Sequence, residues 1–494
     1  MYHKFLPPKT PDRCGALKWP SYVLVSDRVV FPDGVRPGAV FIEGSRIVDV
    51  SEEVTVDSTA HPHVMNFKHA VISPGVIDVH IHLNEPGRVE WEAGITNGTM
   101  AAAVGGVTTV IDMPLNSDPV TTDVRQLEAK KKLAKAKAFT NIGFWAGLVP
   151  GNAANHTLLS ELLAGGALGF KSFMCNSGIN DFPAVEAEHI AAALPFLKSR
   201  GVPFFVHAEV VTPVEMDAVG SADPTHYTTY LATRPPKFER DAVRLLVKLL
   251  DEDSTPAAPG FSVHVAHLAD GEEALEVIRD AQSRGHPLTV ETCAHYLTFS
   301  AEDVPAGHTQ YKCAPPLREA SHRNRLISAV RSGAISLVSS DHSPAPPALK
   351  ETESGNFLRA WGGISGVQYL LPATWTALWG AAAGGEGQGE GAAKEGDLLL
   401  LARVLSEGPA KLAGVAESKG RLAPGYDADL VIWEPETRAN TSVSLNLHTH
   451  KLSPYTDVPL YGKVLGTIVG GELTALFGNI NRRSCGKLVL SRNT

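Results

Sequence analysis

The sequence predicts an α/β fold, a (β/α)8 TIM-like barrel with a small flanking β-sandwich domain built from both termini. Eight strand-like apolar runs alternate with helical runs over about 300 residues, which matches the size and unit count of such a barrel. Both ends of the chain are rich in strands instead, and chain termini often lie close together. No Gly-rich GxGxxG turn follows a strand, which disfavours the alternative, an open doubly wound sheet.

The candidate strands are short runs rich in β-branched and aromatic residues. They are GVIDVHIH (75–82), VTTVIDM (107–113), NIGFWAG (141–147), ALGFKSF (167–173), PFFVHAE (203–209), FSVHVAH (261–267), PLTVET (287–292) and ISLVSSD (335–341). Helical patterns separate most of them, and the clearest lie at 121–138, 184–200, 239–250 and 271–284. This alternation favours a parallel sheet.

Changes in pattern divide the chain into three segments. Residues 1–70 are predicted to form the N-terminal part of the small β domain, 71–415 the catalytic barrel, and 416–494 the C-terminal part of the β domain with a tail. Residues 380–396 are rich in Gly and Glu, a composition typical of a surface loop inserted into the barrel.

The composition excludes several classes of protein. Hydrophobic residues make up 44% and charged residues 20% of the 494 residues, as in ordinary globular proteins. The net charge of -9, without a basic stripe, argues against nucleic acid as a partner. No apolar run reaches the roughly 18 residues of a membrane helix, and the N-terminal residues lack the apolar core of a secretory signal. The five cysteines are scattered without a CxxC pair, so a reducing, cytoplasmic setting is expected.

Two histidines end the first candidate strand. Side chains alternate along a strand, so His80 and His82 face the same side. Imidazole is a good ligand for zinc, but an isolated HxH fits a pair of core histidines about as well. The interpretation therefore depends on whether other strands supply matching ligands.

Lys171 lies inside the apolar fourth strand, between Phe170 and Ser172. A buried ammonium is costly, and such a lysine usually has a depressed pKa or a partner. One interpretation is a lysine that extends to the mouth of the barrel. The other is a neutral amine that captures carbon dioxide, because the resulting carbamate is an anionic ligand with two oxygens that can bridge two metal ions. This second interpretation requires the histidines nearby.

The remaining candidate ligands lie at the ends of three other strands. His207 belongs to the fifth strand, and His264 and His267 to the sixth. His264 and His267 face opposite sides of a regular strand, and His267 is nearer the strand end, where barrel active sites lie. Asp341 ends the eighth strand, either as a turn or N-cap residue or as a metal ligand that takes a proton from water. Four histidines, a carbamate and an aspartate are enough ligands for two metal ions.

Several long motifs, in order along the chain, resemble those of the cyclic amidohydrolases and, among them, the allantoinases. The resemblance runs from about residue 22 to about residue 475. It is carried by HIHLNEPGRVEW (80–91), GGVTTVIDMPLNSDPVTT (105–122), GFKSFMCNSGINDFPAV (169–185), ETCAHYLTF (291–299), YKCAPPLR (311–318), SDHSPAP (340–346), FLRAWGGISGVQ (357–368) and GYDADLVIWEP (425–435).

The resemblance implies a barrel with a flanking β domain and a centre of two divalent metal ions, usually Zn²⁺. It implies as ligands His80, His82, an N6-carboxylated Lys171, His207, His267 and Asp341. It also implies hydrolysis of the cyclic amide of allantoin to allantoate in purine catabolism, by a metal-bridging hydroxide with Asp341 as the proton shuttle. The expected partner is this small-molecule substrate, and a homo-oligomer, a tetramer by family analogy, is expected.

Asn116 and Ser343 are candidate contacts for the substrate ring or ureido group, although turn and helix-start roles fit them equally well. Asn84 stands where relatives that open a carboxylate-bearing ring, the dihydroorotases, usually have arginine. A neutral amide favours a ureide, because arginine is the residue that pairs carboxylates. An extra Ala93, and Asn176 in place of a common proline, depart from the family pattern without removing a ligand and leave the substrate fit open.

Two other functions remain in view. A dihydropyrimidinase or hydantoinase-type cyclic amidase shares the ring chemistry, although the motifs DMPLNS, MCNSGINDFP and AWGGIS favour the allantoinases. A non-catalytic homologue that acts as an assembly scaffold would typically lose metal ligands, whereas all six are present.

Overall fold

A computed structural model describes residues 21–57, 63–91, 94–212, 222–382, 392–481 and 486–491. Residues 1–20 of the predicted first segment, Ala93, and residues 383–391 of the predicted Gly-rich loop lie outside the described residues. Within the described ranges, no helix is long and apolar enough to cross a membrane. Cys175, Cys293 and Cys313 are buried free thiols, while Cys14 and Cys485 lie outside the described residues.

The described residues form strands at both ends of the chain and throughout its middle. In chain order these are β1 (Ser21–Phe31), β2 (Gly34–Glu43), β3 (Arg46–Ser51), β4 (Val64–Asn66), β5 (Val71–Pro74), β6 (Val76–Ile81), β7 (Val107–Asp112), β8 (Asn141–Phe144), β9 (Ala146–Gly147), β10 (Phe170–Phe173), β11 (Pro203–His207), β12 (Ser262–Val265), β13 (Leu288–Cys293), β14 (Leu337–Ser339), β15 (Leu430–Arg438), β16 (Tyr461–Val469), β17 (Glu472–Leu476) and β18 (Asn479–Ile480).

Helices occupy most of the connections between the middle strands. They are α1 (Gly94–Val104), α2 (Val124–Lys137), α3 (His156–Ala164), α4 (Ala187–Arg200), α5 (Tyr227–Ala232), α6 (Lys237–Glu252), α7 (Glu273–Ser283), α8 (Ala294–Thr298), α9 (Ala320–Ser332), α10 (Leu370–Ala382), α11 (Glu395–Ala402) and α12 (Gly408–Leu412). The four helices predicted most clearly from the sequence correspond to α2, α4, α6 and α7, with ends shifted by a few residues.

Strands from both ends of the chain join in one mixed sheet, as their shared composition predicts. The order is β18-β17-β16-β15-β5-β1-β2-β3, with β4 paired to β1. The two ends meet where β15 pairs with β5 in antiparallel register, which places Ile432 opposite Ile72. The sequence predicts a sandwich, whereas the hydrogen bonds join these strands into a single nine-stranded sheet. Because β5 belongs to this sheet, the separate series of parallel strands in the middle of the chain begins at Val76.

The middle strands are parallel and follow the chain order. β6, β7 and β8 form one sheet, and β9 to β14 form another. Only Trp145 separates β8 from β9, and its indole Nε1 donates to the carbonyl of Val79 at 2.8 Å. At the other side, Ile81 forms a parallel bridge with His342, and the His82 N–H donates to the His342 carbonyl at 2.8 Å. Each of the eight predicted runs contains a strand of this set.

The burial of these elements explains their sequence patterns. All six residues of β6 and of β7 are buried, as expected for parallel strands that are covered on both faces. Helix α6 buries Ala242, Val243, Leu246 and Leu250, which recur at helical spacing along one face. Asp123 caps α2 by accepting a hydrogen bond from the Gln126 N–H at 2.9 Å. With both faces apolar, polar side chains concentrate where the strands end.

Candidate metal centre

The carboxyl ends of five parallel strands bring the six predicted ligands to one end of the sheets. Parallel strands end at the same side of a sheet, so residues distant in sequence converge there. The six residues are His80 on β6 and His82 just after it, Lys171 on β10, His207 at the end of β11, His267 after β12 and Asp341 after β14. All six are buried.

His80, His82 and Asp341 form the tightest group. The Nε2 atoms of His80 and His82 lie 3.3 and 3.4 Å from Oδ1 of Asp341. Burial would raise the pKa of Asp341, but the charges of and hydrogen bonds with the neighbouring histidines hold it below its usual range. Their ligand atoms all lie within 4.8 Å of one another, so an ionised carboxylate and two imidazoles can hold one metal ion.

His207 and His267 extend this group across the strand ends. The ring of His267 lies 5.2 Å from that of His80 and 4.4 Å from that of His207, measured between centroids. Burial lowers the pKa of His80 and His267, and lowers that of His207 to about 4. The three imidazoles are therefore neutral at pH 7, which is the form that coordinates metals. The Nδ1 atom of His267 is buried and has no hydrogen-bond partner among the described residues.

Lys171 is fully buried beside these histidines. Its Nζ has no hydrogen-bond partner in the described part of the chain, and it lies 4.9 Å from the centroid of the Phe173 ring. Burial lowers the pKa of this amine from 10.5 to about 8. A buried polar atom without a partner is rare in proteins, so Lys171 requires a chemical explanation.

His264, the alternative in the same segment, lies behind this group, with its Nε2 3.5 Å from Glu291 Oε2, and it does not line the cavity. Its Nδ1 lies 2.8 Å from Thr289 Oγ1, and its ring packs 4.3 Å from that of Phe205. His267 instead lines the cavity at the strand ends. The two histidines therefore lie in different surroundings, and His267, which is beyond the end of β12, is the one at the cavity.

Two buried glutamates behind the histidines were missed by the sequence analysis. Glu291 on β13 accepts from His80 Nδ1 at 2.5 Å and from the His267 N–H at 3.3 Å. Glu209 accepts from His207 Nε2 at 2.6 Å and pairs with Arg234. Each carboxylate fixes which ring nitrogen carries the proton and leaves the other for a metal. The sequence signal that could have identified these two glutamates is an acidic residue within or directly after an apolar, buried strand.

The backbone is strained at this edge. His267, Asp341, Asn116 and Asn84 have φ values of 38, 42, 66 and 60°, the left-handed region that non-glycine residues seldom adopt. Such strain persists only where surrounding contacts enforce it, and it clusters at functional sites.

The loop that carries Asp341 is held from below by Asp78. The Asp78 carboxylate accepts from Ser340 Oγ at 2.5 Å and from the Ser340 N–H at 3.1 Å. Ser340 Oγ in turn accepts from the His342 N–H at 2.9 Å, so the residues on both sides of Asp341 are fixed. Burial raises the pKa of Asp78 to about 7.

A cavity of about 540 Å³ opens over the histidines and Asp341. Asn116 and Ser343, the predicted substrate contacts, both line it, and Asn116 Nδ2 lies 3.3 Å from Ser343 Oγ. Asn176 also lines it. Asn84 does not: it is buried and donates to the Pro344 carbonyl at 3.3 Å. In this structure the Asn84 amide therefore holds a neighbouring loop rather than lining the cavity.

Comparison with known proteins identifies the family that this chain is similar to. The model of the Amidohydrolase family matches residues 71–474. The allantoinase of Arabidopsis thaliana is 42% identical over 485 residues, 97% of this chain and 93% of that protein. The allantoinase of Saccharomyces cerevisiae is 36% identical over 95% of this chain and 99% of its own.

Solved structures resemble the whole fold. The L-hydantoinase (dihydropyrimidinase) from Arthrobacter aurescens superposes with a TM-score of 0.83 at 27% identity, over 94% of this chain and 99% of that one. Because a family model spans most of the sequence and these relatives match it over nearly its full length, the chain belongs to the amidohydrolase family and, within it, to the allantoinases.

Proposed function

We propose that the protein is an allantoinase that hydrolyses the cyclic amide of allantoin to give allantoate. The observation that carries this proposal is the cavity in which His80, His82 and Asp341 converge within ligand distance of one another. The close relationship to allantoinases supports allantoin as the ring that this cavity takes.

We infer that six residues hold two divalent metal ions, with zinc as the expected metal. His80, His82 and Asp341 would hold one ion, and His207 and His267 the other, with a modified Lys171 shared between them. The donor set fits, because neutral imidazoles and a carboxylate are the ligands that zinc takes at catalytic sites. The unpartnered Nδ1 of buried His267 also fits, since a metal ion would satisfy it.

The modification of Lys171 is a carbamate formed with carbon dioxide. A neutral amine is the form that reacts, and the pKa of about 8 makes that form accessible near neutral pH. The product is an anion among neutral histidines, where it offsets part of the charge of two metal ions. This change turns a buried cation without a hydrogen-bond partner into a group with two ligand atoms.

The metal ions, when bound, supply an activated water and polarise the ring carbonyl. Asp341 transfers the proton of the attacking water. Its carboxylate is ionised at neutral pH because neighbouring histidines lower its pKa, so it can accept a proton from the attacking water. It then passes this proton to the ring nitrogen as the amide C–N bond breaks. The strained φ of Asp341 and the Asp78–Ser340 contacts hold its carboxylate in place for both transfers.

We further propose that the parallel strands close into the predicted (β/α)8 barrel. Two observations support closure. Trp145 alone separates β8 from β9, and Ile81 forms a β-bridge with His342, just beyond β14. Asn116 and Ser343 are proposed to contact the ring or ureido group, because both line the cavity and each offers a donor and an acceptor.

The test is turnover of allantoin, hydantoin, dihydrouracil and dihydroorotate on one sample whose metal content has been measured. Allantoin should have the highest kcat/KM, and dihydroorotate should not react. Preference for hydantoin or dihydrouracil would instead support the second candidate, a hydantoinase-type amidase, which the likeness to the Arthrobacter enzyme favours. A chain without divalent metal and without turnover of any substrate would contradict both.

A further inference from the structure

Lys312 places an ammonium group in the wall of the cavity, away from the strand ends. It follows the short 3-10 helix Thr309–Tyr311 and is 8% exposed. Its Nζ donates to the Ala360 carbonyl at 2.6 Å and to the Leu358 carbonyl at 3.3 Å. The ring of Tyr230 lies beneath the ammonium, 4.6 Å from Nζ. Lys312 is therefore fixed in position rather than free to swing.

The charge of Lys312 differs from those of the two arginines that also line this cavity, Arg234 and Arg359, because each arginine pairs with a carboxylate. Arg359 pairs with Glu351. Arg234 pairs with Glu209, so its charge is offset within the protein. Among the described residues, no carboxylate forms an ion pair with Lys312. The two carbonyls use two of the three hydrogens of the ammonium, which leaves one donor for a ligand. A nearly buried cation with a spare donor suits an acceptor oxygen on whatever fills the cavity.

A second buried lysine, Lys350, contacts the same loop from outside the cavity. Lys350 donates to the carbonyls of Trp361 at 2.9 Å, Gly363 at 2.8 Å and Lys312 at 3.1 Å. These contacts fix the segment 357–363 from behind, and Lys350 is not among the residues that line the cavity. The two lysines thus contact the same loop, but only Lys312 reaches the cavity.

We propose that Lys312 is a specificity-determining residue that donates its third hydrogen to the carbonyl oxygen of the ureido substituent of the substrate. The inference rests on the proposed allantoinase function. The ring amide that reacts must lie against His80, His82 and Asp341 at the strand ends. Lys312 comes from a loop in the wall, so it meets the substituent that extends from the ring.

The test compares allantoin with hydantoin, which has the same ring without the ureido group. In Lys312→Met, which keeps an unbranched side chain but removes the charge and the donors, kcat/KM for allantoin should fall on the order of 10- to 100-fold relative to that for hydantoin. Lys350→Met is the matched control, because it loosens the same loop without removing a group that lines the cavity. Its ratio of the two kcat/KM values should stay within about twofold of the wild type.

Three outcomes decide the inference. An unchanged ratio in Lys312→Met, or an equal fall of the ratio in Lys350→Met, overturns the role of Lys312 while leaving the allantoinase activity of the wild type intact. A wild type that does not hydrolyse allantoin contradicts the proposed function itself. If Lys312→Met binds less metal than the wild type, Lys312→Gln takes its place, since its amide keeps a donor for Ala360, and the same ratio decides.

Discussion

Replacing Glu291 with glutamine should weaken metal binding without disturbing the fold. The carboxylate is fully buried and accepts from His80 Nδ1 at 2.5 Å, so it holds the ring with Nε2 toward Asp341. Burial would raise its pKa, but the charges of and hydrogen bonds from His80 and His264 lower it to about 2. Glu291 is therefore an anion at every pH at which the enzyme is expected to work, and it increases the basicity of the ligand nitrogen.

The magnitude follows from what the amide keeps and loses. Glutamine retains an acceptor oxygen for His80 but loses the negative charge. Its single amide oxygen must also take over the contacts that the two carboxylate oxygens of Glu291 now make. Changes of this kind behind a metal-bound histidine lower metal affinity or activity by about 10- to 100-fold. That range corresponds to about 1.4 to 2.7 kcal/mol. Because the side-chain volume is nearly unchanged, no cavity is created.

The assay is metal retention against a chelator of known affinity, with thermal unfolding of the metal-free protein measured in parallel. Asp429→Asn is the control, because Asp429 is also buried but pairs with Lys419 and contacts Asn141 at the start of β8, the opposite end of the parallel strands. Glu291→Gln should release metal at a lower chelator concentration than the wild type, and Asp429→Asn should not. Equal metal retention by Glu291→Gln and the wild type would refute the proposed role of Glu291.

Three further changes test other parts of the site and fold. Lys171→Ala should lose the two-metal centre and activity, measured as metal ions per chain, and a variant with two metals and full turnover would refute the carbamate. Asp341→Asn should keep part of its metal but lose about 10²- to 10⁴-fold in kcat, as for a general base; a wild-type kcat would remove Asp341 from proton transfer. Arg318→Met should destabilise the fold by about 3 to 5 kcal/mol, because it leaves Glu239 buried and unpaired. Chemical denaturation measures this loss, and a change below about 1 kcal/mol would show that the pair contributes little.

The strands of this protein can be predicted well from the sequence, because buried strands have a distinctly apolar composition. Both faces of β6 and β7 are covered, so their residues form continuous apolar runs bounded by turns. Polar residues within or just after such runs, including Lys171 and His207, stand out for the same reason. The convergence of the six candidate ligands could be predicted from one simple rule, that parallel strands end at a common edge.

The contacts of individual side chains around the centre could not be predicted in the same way. Asn84 follows the HxH motif by two residues, which suggests a place beside the substrate. The chain instead turns there with φ of 60°, and the side chain donates to Pro344. The spacing of residues predicts the direction of side chains only within a regular strand, and it no longer does so beyond the residue at which the strand ends.

The part of the site that discriminates between substrates depends on loops, and loops are fixed by contacts distant in sequence. Lys312 and Lys350 meet the segment 357–363 through its backbone carbonyls, a type of acceptor that every residue carries. Such a contact therefore cannot be predicted from a pattern of side chains in the sequence. The strand ends therefore account for the chemistry that this chain shares with its family, while the loop geometry, and Lys312 within it, determines which substituent on the ring is recognised.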